Sequence, residues 1–206
     1  MKLNKQQSSF EQLINSIYQT HCVLQENTQK IINQSLTLRN WLVGYYIVEY
    51  EQNGSDKAIY GEKLLLEMAN TLKDKGIKGL RERELHTCKR FYIMYPQIQR
   101  TLSAELQTID TEEFNSTISI LRTLSAKSKT DADIAPELLL SKLSYSHFIE
   151  LVRVGEPLER LFYEVEAIKN NWSVRELKRA IDTSLALRTS LSVNKESVIA
   201  KIKNFK

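Results

Sequence analysis

The chain has few of the residues that punctuate a fold: six Gly and three Pro in 206 positions. Turns are therefore scarce and elements long, which excludes an all-β sandwich or barrel and favours helices. Cysteine is sparser still. Cys22 and Cys88 stand alone with no CxxC, so neither a disulfide framework nor a Cys-rich zinc site can be assembled, and Cys88 reads as a small core residue. His21, His86 and His147 are scattered with no HExxH pairing, so no metal site is expected, and His147 reads as a capping or packing residue. There is no G-x-x-x-x-G-K-[ST] phosphate loop, and neither cysteine has the Gly-flanked setting of a nucleophile, so no catalytic residue and no cofactor is assigned. The longest apolar run, Trp41 to Val48, falls far short of the roughly 20 residues that cross a bilayer. The start, Met1-Lys2-Leu3-Asn4-Lys5-Gln6, leads into no signal-peptide core. A cytoplasmic protein without membrane contact is expected.

What is present suffices for a packed core: 42% of residues are hydrophobic and 26% charged, a balance that excludes disorder over the whole length. The net charge of +4 conceals a division along the chain. Lys73 to Arg100 carries eight Lys/Arg against three Asp/Glu, and Arg175 to Lys206 repeats that ratio, whereas Thr101 to Val174 holds seven against twelve. Two basic segments flanking an acidic one suggest contact with a polyanion through particular surfaces, although a solvated helix face has the same composition.

Hydrophobic periodicity predicts an all-α protein of several helices. The first starts near Ser8 or Ser9 with Phe10, Leu13, Ile14, Ile17 and Tyr18 on one side. After a polar stretch a second, long helix runs through Ile31, Ile32, Leu36, Leu38, Trp41, Leu42, Tyr45 and Tyr46 and stops at Asn53-Gly54. Its apolar girdle around Trp41 to Val48 predicts burial in a core or pairing with a second copy. Glu62 to Leu72 is the next helix, and Lys75-Gly76-Ile77-Lys78-Gly79 connects it to another over Arg81 to Tyr95, where Pro96 sets a boundary. Helix, Gly-containing turn, helix is the pattern of a helix-turn-helix, here at about 62–95. Residues 107–135, rich in Ser and Thr, read as a linker or insertion. Within 136–190, Pro136 and Pro157 open helices, Ser144 caps one, and Ser173-Val174-Arg175-Glu176 is a capping box. Residues 191–206 form a basic tail, and 8–106 form the N-terminal helical region.

Placed at 100° per residue, the Arg81 helix puts Leu85, Cys88, Tyr92 and Tyr95 on one side and Arg83, His86, Thr87 and Arg90 on the other. With Lys73, Lys75, Lys78, Arg81 and Lys89 around it, this is what a recognition helix in a DNA major groove requires. Arg bonds guanine bidentately, Thr touches the thymine methyl and Lys attracts phosphate. Arg175, Lys178 and Arg179 on the last helix are candidate secondary phosphate contacts.

Trp41 and Gly44, Tyr60-Gly61, KGLRERELHTCKRFYIMYPQI (78–98), LSYSHFIELV (143–152) and RLFYEVEAIKNNWSVRELKRAI (160–181), in this order and spacing, resemble the N-terminal domain of the YhcG family of predicted bacterial PD-(D/E)XK nucleases, over about Asn33 to Arg188. The resemblance implies a winged helix-turn-helix-like DNA-binding domain ahead of a nuclease domain. After Arg188 too few residues remain for the nuclease sheet, so the expectation is a non-catalytic targeting module that acts with a nuclease domain in cis or in trans and binds double-stranded DNA. Relatives commonly carry Ser at the start of the recognition helix and Asn three residues on. This chain has Arg81 and Glu84, which predicts a frayed or displaced helix start and a carboxylate facing DNA. The alternative is a helical interaction module that dimerises around Trp41 to Val48 without touching DNA.

Overall fold

The computed structural model describes residues 3–53, 63–101 and 134–186, and the regular elements among them are all helical, with no strand. The expected linker at 107–135 falls almost wholly outside the described residues, as do Tyr60-Gly61 and the tail at 191–206; only its last two residues are described, and Ile134 is buried in the core.

Helix α1 spans Leu3–Asn53 as one element of 51 residues. The two N-terminal helices expected from periodicity are thus a single helix. The polar stretch between them contains neither Gly nor Pro, and polar residues such as Gln, Glu and Lys are good helix formers, so nothing there interrupts the backbone ladder. The expected stop at Asn53-Gly54 falls at the edge of the described residues. Helix α2 is Leu64–Asp74 and α3 is Glu82–Met94, followed by a 3₁₀ turn at Pro96–Ile98. Helices α4 (Pro136–Lys142), α5 (Tyr145–Leu151), α6 (Pro157–Lys169) and α7 (Val174–Asp182) complete the described chain. Pro136 and Pro157 occupy first-turn positions, where the missing N–H has no partner to lose.

The core forms where the second half of α1 meets α3. Trp41, Tyr45, Phe91, Tyr95 and Phe148 are buried together, and α4 to α7 close around them with Leu139, Leu151, Phe162 and Leu177. Trp41 donates its indole N–H to the carbonyl of Tyr95 across 2.9 Å, tying α1 to the C-terminal end of α3. Its ring meets Tyr92 edge-on at 4.9 Å. Gly44 lies against the backbone of Cys88: a Cβ there would sit 2.1 Å from the Cys88 carbonyl oxygen. The run Trp41 to Val48 is therefore covered from within, with Trp41 and Ile47 fully buried. Most of these side chains already pack within the fold, which leaves chiefly Tyr46, about half exposed, as the outward part of the run where pairing with a second copy was expected.

A smaller core holds α2 and α3 on α1. Ile47, Leu65, Leu80 and Leu85 are buried together, with Val43, Met68, Ala69 and Leu72 packed against them. Leu80 belongs to the connection between α2 and α3, so that connection is anchored by an apolar side chain as well as by its hydrogen bonds.

Candidate nucleic-acid interface

Helix α2 ends in a Schellman motif. Lys75 follows the last helical residue, Gly76 adopts φ 91°, and the N–H groups of Gly76 and Ile77 bond to the carbonyls of Lys73 and Leu72, both at 2.9 Å. Only glycine takes this left-handed conformation without strain, which accounts for Gly76 at this position. The connection continues through Lys78, Gly79 and Leu80 to Arg81, and it is longer than the three or four residues usual between the helices of a helix-turn-helix. Arg81 is extended (φ −80°, ψ 169°) and its side chain makes no cap hydrogen bond. Helix α3 nevertheless begins on schedule at Glu82 and is not displaced; its first amides receive no side-chain cap from Arg81, and Glu82 and Glu84 lie in its first turn.

Around this corner Lys73, Lys75, Lys78, Arg81 and Arg83 are all exposed, against Asp74 and Glu82. A recess of about 490 Å³ opens between the two helices, with Ile77 and Leu80 inside it and Lys73, Lys78 and Arg81 among its walls. Farther along α3, His86 is exposed and Thr87 half-buried; the Thr87 hydroxyl donates to the Arg83 carbonyl one turn back (3.0 Å), which leaves its methyl group as the outward contact.

The far end of the expected stripe is otherwise engaged. Lys89 forms an ion pair with Glu51 of α1 at 2.6 Å, both side chains about 30% exposed. It is a clamp between α1 and α3, and its ammonium group is already neutralised, which corrects its placement among the free cations. Arg90 is exposed but donates to the Val152 carbonyl at 2.7 Å, at the end of α5. Its guanidinium retains further donors, with one direction fixed. Glu84 is also corrected. It does not face outward: it is half-buried, its Oε2 has no partner among the described residues, and it lines a cavity of about 230 Å³ with Arg39, Asn40, Ser144 and Tyr145. Sequence periodicity missed this cavity because its walls come from α1, α3 and α5, and only Asn40 and Thr37, polar residues next to Trp41, hinted at a polar patch in the buried part of α1.

The inner face of α3 agrees with its periodicity at all but one position. Leu85, Cys88 and Tyr95 are buried as expected, but Tyr92 is only half-buried, and Phe91, which the helical projection did not single out, is fully buried in its place. Burial pushes the Cys88 thiol above its usual range, and its Sγ lies 3.5 Å from the Tyr145 hydroxyl, itself raised chiefly by burial, so Cys88 is an inert thiol in the core. Tyr95 is shifted upward by burial and by Glu164, whose Oε1 accepts its hydroxyl at 2.6 Å, while Arg160 lies over the Tyr95 ring and 3.7 Å from the same carboxylate.

Arg175, Lys178 and Arg179 are exposed on α7, which packs chiefly on α5 and α6 and belongs to a different part of the surface from the α2–α3 corner. Among the described residues no group of three or more His, Cys, Asp and Glu could hold a metal ion, and no helix is long and apolar enough to cross a membrane.

The chain matches the family model described as the DUF1016 N-terminal domain over residues 16–188. It is 31% identical over 179 residues to the Escherichia coli (strain K12) protein named "Putative nuclease YhcG", a match covering 84% of this chain and 44% of that protein. No solved structure matches it. With a family model spanning most of its length, the chain belongs to the DUF1016 N-terminal domain family.

Proposed function

We propose that this domain is the DNA-binding and targeting module of a YhcG-like nuclease and carries no catalysis of its own, with α2 and α3 acting as a helix-turn-helix-like unit. The observation that carries the reading is the α2–α3 corner, where Lys73, Lys75, Lys78, Arg81 and Arg83 are exposed together beside the uncapped start of α3. Cations converging on one edge beside a helix start are what a phosphate backbone binds, and the relative's name supplies the nucleic-acid context. Arg83, His86 and Thr87 continue from that edge along the outer face of α3, placed to meet base edges once phosphate contacts have set the register. Arg90 contributes from its anchored position, and Arg175, Lys178 and Arg179 form a separate, weaker phosphate-binding patch. The partner is double-stranded DNA, and the nuclease domain acts in cis or in trans.

Fluorescence anisotropy with a short labelled duplex tests this. Affinity should fall steeply with added salt, and Lys75→Ala, Lys78→Ala and Arg83→Ala should each weaken binding and lower the slope of log affinity against log salt by about 1. Lys89→Ala should leave that slope unchanged, because its charge is spent on Glu51. Absence of binding at low salt, or binding indifferent to all three corner substitutions, would overturn the proposal.

A further inference from the structure

The first half of α1 carries a seam that nothing among the described residues covers. Phe10, Ile17, Leu24, Ile31 and Leu38 recur every seven residues, the spacing of one core position of a coiled coil. The first four are exposed at 61%, 57%, 60% and 62%, whereas Leu38, next in the same series, is 2% exposed in the core. One continuous stripe therefore serves as a packing surface at its C-terminal end and lies bare for about 33 Å before it.

We propose that this stripe pairs with the same stripe of a second copy of the chain, forming a parallel two-stranded coiled coil over residues 10–35. The bare area is of the right size. Beside those four residues, Ile14 occupies the other core position, and Leu13, Tyr18 and Ile32 flank the seam, each close to half exposed or more. Together these eight leave on the order of 800 Å² uncovered, about what each partner contributes to a stable interface and more than a monomer ordinarily shows in one patch.

Charge points to a like partner. From Phe10 to Ile32 the charged residues are Glu11, Glu26 and Lys30 alone, and of these only Glu11 flanks the seam. Two copies therefore meet without like-charge repulsion along their length, and no strongly charged partner is selected. The polar residues set the direction. His21 and Thr28 occupy the core position alternating with the apolar series, so a parallel, in-register pair places polar against polar, whereas an antiparallel pair sets each against Ile or Leu. A polar residue at this position is a known determinant of register and of strand number.

Light scattering with size-exclusion chromatography on the full 206-residue chain tests the proposal. The wild type should run at twice its 23.9 kDa mass. Ile17→Glu with Leu24→Glu should run at the single mass while keeping the thermal transition of the folded body. Gln12→Glu with Gln19→Glu, on the opposite face, should remain dimeric. In a Cys22→Ser background, His21→Cys should form an intermolecular disulfide under mild oxidation. A monomeric wild type at tens of micromolar, as would follow if another segment of the same chain covered the seam, overturns the proposal. So does an assembly that survives the Ile17/Leu24 pair of substitutions or has a mass other than twice the chain, and a dimer that fails to cross-link through position 21 overturns the parallel register.

Discussion

At Gly44 two opposing effects can be weighed by size. Alanine is the better helix former by about 1 kcal/mol, so Gly44→Ala would stabilise an isolated α1. In the folded protein the new Cβ would stand 2.1 Å from the Cys88 carbonyl oxygen and 2.8 Å from the Tyr92 Cβ, and backbone cannot swing aside as a side chain can. The helices must part, loosening Trp41 against Tyr92 and its hydrogen bond to Tyr95. Overpacking of this kind costs about 3 kcal/mol and outweighs the propensity gain. Net destabilisation of roughly 2 kcal/mol corresponds to a fall in Tm of about 4–8 °C for a chain of this size, measurable by circular dichroism. An unchanged Tm would show that α1 and α3 do not cross so closely. At the same scale, which side of α3 faces inward was legible, since 3.6-residue periodicity is local. The engagements of Lys89 with Glu51, Arg90 with Val152 and Glu84 with the α1–α5 cavity were not, because each partner comes from a distant part of the chain and periodicity carries no information about it.

Among the elements, the boundaries announced by local chemistry are where the sequence places them, and the blocks that carry the family resemblance meet there. Between α6 and α7, Asn171 takes the left-handed conformation (φ 48°) and the Trp172 N–H bonds back to the Ala167 carbonyl at 3.0 Å, a Schellman ending with Asn in place of Gly. Ser173 then caps α7, receiving the Glu176 N–H while its own N–H donates to the Glu176 carboxylate at 2.7 Å, which holds that carboxyl below its ordinary value. His147 joins this corner to α5. Its Nδ1 accepts the Ser144 N–H at 3.1 Å, so Nε2 carries the proton and donates to the Trp172 carbonyl at 3.0 Å. Burial lowers the His147 pKa from the usual 6.5 because a charged ring is poorly solvated inside the fold, an effect that the bond to the Trp172 carbonyl only partly opposes. The sign follows: the unfolded chain takes up this proton more readily, so the stability His147 contributes is complete above pH 6.5 and is lost as pH falls through the lower, folded value. Melts from pH 7.5 down should show Tm declining below 6.5, and His147→Gln should be less stable at neutral pH but with a shallower decline. Parallel curves would show that the ring is free to protonate in the folded state. The element misjudged was α1. Residues 25–30 are polar, and polarity between two apolar stretches resembles a linker, yet without Gly or Pro the helix runs through them with each of these residues exposed.

For the whole molecule the consequence is geometric. A parallel coiled coil through residues 10–35 would leave both folded bodies at the same end of the arm, so the two α2–α3 corners would be related by the dimer axis and presented to one duplex. Binding by one corner then raises the effective concentration of the other, and avidity exceeds single-site affinity without any new contact. The two proposals predict different results from the same reagents. Ile17→Glu with Leu24→Glu alters no residue of the corner, so affinity for a duplex too short to hold two bodies should stay at the wild-type value. On a duplex long enough to engage both, the wild type should bind roughly tenfold or more tightly than this variant. Arg83→Ala should weaken binding to both duplexes and leave the mass of the protein unchanged. Anisotropy titrations of wild type and both variants against the two lengths at one fixed salt concentration decide it. If the seam variant loses affinity on the short duplex as well, the arm itself contacts DNA or supports the corner. If it loses none on the long one, the two corners do not reach the same duplex.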